Sequence, residues 1–209
     1  LVYWELTRSC ELACIHCRAE AINRRHPDEL SFDEIRHTLL ELSERPIHLV
    51  ITGGDPLLRP DIFKIIEFST SLGISTSITP AGTLRLDPDT LKRIKDTGVT
   101  SLGLSLDGST PELHDNLRKV DGSFSWTTKA IEESVKIGLP VQINTMVTSQ
   151  TLSDIPEVFS LLHKWPIMRW ALFFLIPTGR GTNLKEITPE ESENFYQDYI
   201  RWFMMLHSI

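Results

Sequence analysis

Cysteine is scarce in this 209-residue chain: there are three cysteines, and all of them lie between positions 10 and 17. An odd number of thiols cannot pair completely into disulfides within one chain. Long apolar runs are also missing. The longest, Trp170 to Ile176, is far shorter than the ~20 residues that a membrane-spanning helix needs. No secretion signal opens the chain. We therefore expect a cytoplasmic protein with reduced thiols and no membrane partner.

Basic residues are outnumbered, with 21 Lys and Arg against 28 Asp and Glu and a net charge of −7. This balance does not favour a polyanion, so no nucleic-acid partner is expected. Neither a P-loop nor a Ser-His-Asp arrangement is readable, which argues against a nucleotide-binding hydrolase. The 41% hydrophobic content suits one large domain over residues 1–209. Because the chain lacks an initiator Met and stops on an amphipathic stretch, we expect a fragment of a longer protein.

Short apolar runs alternate with amphipathic segments along the whole chain. Strand-like runs cover residues 1–7, 47–54, 74–80, 101–108, 140–148 and 169–177. Helical patterns follow them at residues 31–44, 60–73, 87–98, 123–138, 152–165 and 188–208. Such alternation predicts a parallel sheet with right-handed helical crossovers. Six β-α units are too few for the closed eight-stranded barrel, so the expected fold is α/β. We expect a partial, open TIM-type barrel, with a doubly wound sheet as the alternative.

Polar or glycine-rich motifs follow five of the six predicted strands. The cysteines come after the first strand, TGGDP after the second, TPAG after the third, SLDG after the fourth and PTGRG after the sixth. Because the carboxyl ends of parallel strands share one rim, these motifs are expected to converge there. The sequence therefore predicts an active site at this rim.

The cysteines Cys10, Cys14 and Cys17 allow three interpretations. They are buried apolar residues, or they bind structural zinc with His16 as a fourth ligand, or they bind an iron–sulfur cluster. Charged neighbours argue against the first interpretation. His16 directly precedes Cys17, which makes a shared tetrahedron difficult. A [4Fe–4S] cluster normally takes four thiolates, so three would leave one iron open to a substrate or cofactor.

The CELACIHC stretch fits C-x3-C-x2-C and resembles the cluster motif of the radical S-adenosylmethionine (radical SAM) superfamily. GGDP, at Gly53 to Pro56, resembles the GGEP motif of that superfamily, with Asp in place of Glu. SLDG, at Ser105 to Gly108, resembles its fourth-strand motif and is followed by HDNLR. TGRG, at Thr178 to Gly181, resembles the branch that matures peptides, haem and other cofactors. Members of that branch often carry a C-terminal SPASM domain, which we expect to be missing from this fragment.

The resemblance implies a [4Fe–4S] cluster held by the three cysteines and S-adenosylmethionine (SAM) on the fourth iron. It further implies SAM contacts from residues spread along the chain: His16, Gly53, Gly54, Asp55, Ser105, Asp107, Arg118 and Asn144. Taken alone, GGDP is also an ordinary turn sequence, and Arg118 is also consistent with a solvated surface charge. Asp107 is equally suited to capping the next loop. For Asn144, a hydrogen bond within the core is the alternative.

The roles of Thr79, Pro80 and Arg180 remain open at this point. Thr79 and Pro80 depart from the Thr-Asn-Gly that many relatives carry after the third strand. Arg180 suits an anionic substrate group or a plain exposed loop.

The implied reaction is reductive cleavage of SAM to a 5′-deoxyadenosyl radical, which then abstracts hydrogen from a substrate. No side chain of the protein need act as an acid or base. The resemblance implies a peptide, a tetrapyrrole or another cofactor precursor as substrate, and a flavodoxin- or ferredoxin-like one-electron donor as partner. A zinc-dependent binding or scaffold module on the same α/β sheet is the competing interpretation.

Overall fold

A computed structural model describes the backbone of residues 1–206 and the side chains of residues 1–199. The strands are β1 (Val2–Glu5), β2 (His48–Thr52), β3 (Ser75–Ile78), β4 (Ser101–Ser105), β5 (Val141–Val147) and β6 (Arg169–Phe174). The helices are α1 (Phe32–Ser43), α2 (Ile62–Ser71), α3 (Pro88–Asp96), α4 (Pro111–Arg118), α5 (Ser123–Lys136), α6 (Ile155–Leu162) and α7 (Pro189–Leu206).

The six strands form one parallel sheet in the order β1-β2-β3-β4-β5-β6. Every strand is thus paired with its sequence neighbours, as expected when a helix returns the chain after each strand. The sheet curls into a half-barrel whose open edges are β1 and β6. The predicted partial TIM-type barrel is confirmed.

The hydrophobic core fills the space between the convex face of the sheet and the surrounding helices. Strands contribute alternate residues such as Leu102 and Leu104, and α1 contributes Ile35 and Leu39 at helical spacing. Each fully buried Leu or Ile stabilises the fold by roughly 1.5–3 kcal/mol relative to exposure. The intervening strand residues face the concave side, which is left for a ligand.

Local signals fix several helix ends. Ser31 and Glu34 form the predicted capping box at the start of α1, with each side chain bonded to the other residue's backbone N–H. Gly73 adopts a φ of +77° just after α2, in the left-handed region that glycine tolerates at a helix stop.

Some boundaries differ from the prediction. The helix α4 was not predicted, although Thr110 caps it and Pro111 occupies its first turn. The fourth and sixth strands end at Ser105 and Phe174, earlier than predicted, because the chain leaves the ladder to build the rim. The predicted helix over 152–165 begins as a 3-10 turn and ends at Leu162. The predicted last helix extends to residue 208, and its final two residues lie outside the described part.

None of the helices described within residues 1–206 combines the length and apolar character needed to cross a bilayer.

Candidate active site

The three cysteines lie in one loop after β1. Its base is closed by a parallel bridge between Ser9 and Ile22. The thiols share a small apolar cluster whose members are Cys10, Leu12, Cys14, Cys17, Ala21, Ala81 and Val120. Each sulfur accepts one hydrogen bond, from Leu12 N at 3.4 Å, Ala21 N at 3.4 Å and the Arg118 guanidinium at 3.6 Å. Donors of this kind stabilise anionic sulfur. We name residues 10–21 the cysteine loop.

The loop after β2 supports the segment that leads from β1 into the cysteine loop. The Gly54 N–H donates to Thr7 O at 2.7 Å, and the Asp55 N–H donates to Ser9 O at 2.6 Å. A Cβ atom on Gly54 would lie 2.3 Å from Ser9 O, so only glycine allows this approach. Gly53, with a φ of +148°, lies equally close to Thr7. Both glycines therefore position the cysteine loop, and their predicted contact with SAM stays a prediction.

The carboxyl end of α4 and the turn after β6 support the far side of the cysteine loop. Ala13 N and Ile15 N donate to the carbonyls of Arg118 and Leu117, at 3.3 and 2.9 Å. Arg180 donates through Nε to Cys14 O and through Nη1 to another loop carbonyl, both at 2.8 Å. Arg180 is half-buried, so it is not the exposed loop arginine that was one of its two expected roles.

Asp55 connects the second and third loops of the rim. Its Oδ1 accepts from Leu57 N at 3.1 Å and from Ala81 N at 3.4 Å, while Oδ2 is buried without a partner in the described part of the chain. Burial raises the pKa of Asp55 to about 6. The carboxylate therefore braces this region, and its predicted contact with the cofactor stays a prediction.

Asp107, Arg118 and His16 form a charged group at the rim beside the cysteine loop. Asp107 is 2% exposed and pairs with Arg118, and its carboxylate lies 3.7 Å from His16 Nε2. The Met146 N–H also donates to Asp107, at 2.9 Å. Burial alone would raise the pKa of Asp107, but the Arg118 guanidinium and nearby histidines hold it at about 2. Arg118 is thus a buried ion-pair partner, not a solvated surface charge.

His16 and Arg118 keep unused hydrogen-bonding atoms in this group. His16 Nδ1 and Arg118 Nε are buried and have no partner among the side chains described. Burial lowers the pKa of His16 to about 4, with the positive charges of Arg118 and Arg180 acting in the same direction. The imidazole is therefore neutral at pH 7. Unpaired buried polar atoms of this kind point to a ligand that supplies the missing partners.

A cavity of about 990 Å³ fills the concave side of the half-barrel. It is lined by His16, Asp107 and Arg118 and by Ser105, Asn144 and Thr79, among other residues. Ser105 and Asn144 are register partners on β4 and β5. The Asn144 side-chain oxygen accepts from the Gln142 amide at 2.8 Å, so part of its polarity is satisfied within the strand. The structure therefore brings five of the predicted contact residues to one cavity, while Gly53, Gly54 and Asp55 lie behind the cysteine loop.

Two supporting residues were not predicted from the sequence. His114 is fully buried and bridges the Asp107 N–H, at 3.1 Å, and Ser123 Oγ, also at 3.1 Å. Arg59 is 2% exposed and donates to the carbonyls of Leu6 and Leu30 beneath the cysteine loop. The only sequence signal for either residue was a polar side chain within a helix start or turn, which is too common to identify a role.

The donor set fits an iron–sulfur cluster better than a single metal ion. Zinc needs ligands at about 2.0–2.3 Å from one point. Among residues 1–199, no group of three His, Cys, Asp or Glu side chains is arranged to hold one ion. A cubane cluster instead binds each thiolate on a separate iron. Three thiols in one loop, each receiving a hydrogen bond, match that requirement.

Comparison with known proteins identifies the family. The Radical SAM superfamily profile matches residues 4–162. An AdoMet-dependent heme synthase of Methanosarcina barkeri is 37% identical over 205 residues, covering 97% of this chain and 57% of that protein. Another, of Oleidesulfovibrio alaskensis, is 39% identical and covers 97% and 52%. A mycofactocin maturase of Mycobacterium tuberculosis is 30% identical and covers 87% and 46%. The chain thus spans about half the length of these curated relatives.

Solved structures share the fold. SuiB of Streptococcus suis, bound to S-adenosylmethionine, superposes with a TM-score of 0.84 at 19% identity, covering 99% of this chain and 48% of SuiB. The enzyme anSMEcpe with bound AdoMet gives 0.74 at 20% identity, covering 97% and 61%. At such identities the likeness concerns the half-barrel alone. The profile match and the curated relatives show that this chain is an enzyme domain that belongs to the radical SAM superfamily, with a [4Fe–4S] cluster and SAM as its cofactors.

Proposed function

We propose that this chain is the catalytic core of a radical SAM enzyme that acts on a haem precursor. The observation that carries the proposal is the cysteine loop. It gathers every thiol of the chain, it is fastened by three separate segments, and it borders a cavity of about 990 Å³. The proposed domain is the core over residues 1–209, followed in the full-length protein by a SPASM-type domain. The proposed location is the cytoplasm.

In this proposal Cys10, Cys14 and Cys17 hold three irons and leave the fourth open for SAM. When bound, the cluster and SAM supply radical generation and hydrogen abstraction, with a flavodoxin- or ferredoxin-like protein as electron donor. The cysteine loop fixes the thiols before the metal arrives, which lowers the ordering cost of assembly. Cys10 and Cys14 are buried and Cys17 is half-buried, so the loop would shield much of the cluster from water.

The rim residues would orient SAM. Asp107 balances the charge of Arg118 and orients its guanidinium. The free Nε–H of Arg118 is suited to a hydrogen bond with the SAM carboxylate. His16 is neutral, so its ring is suited to packing against the adenine or the cluster. Ser105 and Asn144 line the same cavity. Ser105 would bond the SAM carboxylate or ribose, and Asn144 the ribose or adenine. The backbone of Gly53, Gly54 and Asp55 is proposed to receive the SAM ammonium.

The relatives and the cavity support the proposed substrate. The heme synthases are 36–39% identical to this chain over 97% of it, whereas the mycofactocin maturases are 28–30% identical over 87–88%. Small side chains line the concave face of β3 and β4, at Ser75, Ser77, Ser101 and Gly103. They leave room for a broad, flat ring beside SAM. A haem precursor is therefore preferred to a peptide.

The test uses the full-length protein, purified without oxygen. We expect at least four irons and four sulfides per chain, and formation of 5′-deoxyadenosine after reduction in the presence of SAM. Replacing any one of the three cysteines with Ala should abolish this product. Ser160→Ala, an exposed position on α6, is the control. A zinc-containing, iron-free protein, or an active Cys→Ala variant, would contradict the proposal.

The substrate is tested separately, with iron coproporphyrin III and an unrelated peptide as probes. A saturable shift of the porphyrin absorption band, with no binding of the peptide, supports the haem-precursor assignment. Binding of the peptide alone would overturn that assignment and leave the radical chemistry intact. Arg118→Ala is expected to weaken SAM binding by roughly tenfold or more, because a charge-assisted hydrogen bond is lost. An unchanged SAM affinity would remove Arg118 from the site.

A further inference from the structure

Arg180 joins the two open edges of the half-barrel at its rim. It lies in the 3-10 turn Gly179–Asn183, after β6, whereas the cysteine loop follows β1. These strands are opposite edges of the sheet. The carbonyls that Arg180 contacts are 166 and 159 residues away in the sequence. Within the described residues, no strand pairing connects β1 to β6.

The guanidinium spans both limbs of the cysteine loop. Nε donates to Cys14 O and Nη1 donates to Ala21 O, both at 2.8 Å. The backbone N–H of Arg180 adds a third bond, to Cys17 O at 3.1 Å. The planar fork of the guanidinium holds the two carbonyls in fixed directions, whereas the donors of an ammonium are rotatable and gathered at one point.

The preceding residue shows how closely the turn approaches the cysteine loop. Gly179 has a φ of +54°, and a Cβ atom there would lie 2.5 Å from Arg18 O and 2.6 Å from Cys17 O. Only glycine permits this contact. The turn and the loop therefore meet through backbone, and Arg180 is held at a fixed place.

Arg180 is not positioned to hold a substrate. It is absent from the residues that line the cavity, unlike Arg118. Its remaining donor group, Nη2, is buried and makes no hydrogen bond in the described part of the chain. The contacts that it does make are all with the cysteine loop.

We propose that Arg180 is a positioning residue that latches the cysteine loop to the end of β6 and thereby presets the three thiols for the cluster. The inference rests on the proposed assignment of the cysteines as cluster ligands. It adds that the thiol geometry depends on the last strand of the half-barrel as well as on the first.

The experiment measures thiol accessibility in full-length, metal-free protein. Alkylation of Cys10, Cys14 and Cys17 by iodoacetamide is followed by peptide-resolved mass spectrometry in wild type, Arg180→Gln, Arg180→Lys and Arg85→Gln. Arg85 is the matched control because it also contacts the loop, through an exposed pair with Glu11. Thermal unfolding by circular dichroism checks that each variant is folded.

We expect the three cysteines of Arg180→Gln to be alkylated about tenfold faster or more than those of the wild type. Local opening of the cysteine loop governs the access of iodoacetamide to the thiols. Arg180→Lys should be intermediate and Arg85→Gln close to wild type. In reconstituted protein, the electron paramagnetic resonance spectrum of the reduced cluster should change in Arg180→Gln and not in Arg85→Gln. Wild-type alkylation and spectrum in Arg180→Gln would overturn the latch. If that variant does not fold, wild-type behaviour of Arg180→Lys overturns it.

Failure of the proposed function has a different signature. If wild-type protein assembles no iron–sulfur cluster, the assignment of the cysteines is wrong. The order of alkylation rates in metal-free protein still decides whether Arg180 holds the loop.

Discussion

The ion pair between Asp107 and Arg118 offers the sharpest test of how the rim is stabilised. Asp107 is 2% exposed and Arg118 is 12% exposed, so replacing Asp107 with Asn leaves a guanidinium buried without its counter-charge. Removing one partner of a buried pair typically costs about 3–5 kcal/mol. The variant should therefore unfold well before the wild type.

The titration of Asp107 gives an independent estimate. Burial alone would raise the pKa of this carboxyl, but Arg118 with His16 and His114 lowers it from 3.8 to about 2. At about 1.4 kcal/mol per pH unit, this difference corresponds to roughly 2–3 kcal/mol of stability at neutral pH. The two estimates are of the same order, and we take a loss of about 3 kcal/mol as the expected value.

The assay is thermal unfolding of full-length protein at pH 7 with equal cluster content. For a domain of this size, about 3 kcal/mol lowers the midpoint by roughly 6–12 °C. Asp96→Asn is the control, because it breaks an exposed pair with Lys92 and should leave the midpoint unchanged. In a double-mutant cycle, adding Arg118→Gln should cost less in the Asp107→Asn background than in the wild type. An unchanged midpoint, or strict additivity, would refute the role given to this pair.

Three further perturbations test other parts of the structure. Gly54→Ala should release the cysteine loop and lower iron retention, because its Cβ would lie 2.3 Å from Ser9 O; normal iron content would contradict this. Asp115→Ala should lower the free energy of unfolding, measured with a chemical denaturant, by about 1–2 kcal/mol. The Asp115 carboxylate accepts hydrogen bonds from two N–H groups at the start of α5, each at 2.7 Å. An unchanged free energy of unfolding would show that this contact does not cap α5. The lowered pKa of Asp107 means that its contribution is complete above about pH 4 and is lost as the pH falls towards 2. The stability difference from Asp107→Asn should shrink over that window, and a constant difference would refute the linkage.

The half-barrel was predictable because its signals are local and repeated. The alternation of apolar and amphipathic segments predicts a parallel sheet with helical crossovers. It did not exclude the doubly wound sheet, and the structure shows that each strand pairs with its sequence neighbours. The capping box at Ser31 and Glu34 and the glycine stop at Gly73 are likewise formed within a few residues. The secondary structure of short segments was harder to predict from the sequence. The HDNLR stretch was treated as a motif and not as the end of α4, because eight residues give little periodicity.

The candidate site was predictable in its location and less so in its roles. The motifs after the first and fourth strands predicted His16, Ser105 and Asp107 at the rim, and the family resemblance added Arg118 and Asn144. All five line one cavity. A motif does not say whether a side chain faces a ligand or another loop. Asp55 illustrates the limit, since its carboxylate bonds to backbone at two loops and does not line the cavity.

The arginines show why roles at a rim escape sequence reasoning. Arg118 and Arg180 both converge on Cys14, one on its sulfur and the other on its carbonyl oxygen. In sequence they lie 104 and 166 residues from that cysteine, and nothing near either arginine indicates the contact. The contact exists because curling the sheet brings the ends of α4 and β6 over the loop that follows β1. A cluster site built in this way depends on closure of the whole half-barrel, so substitutions far from the cysteines in sequence should disturb the metal as strongly as substitutions beside them.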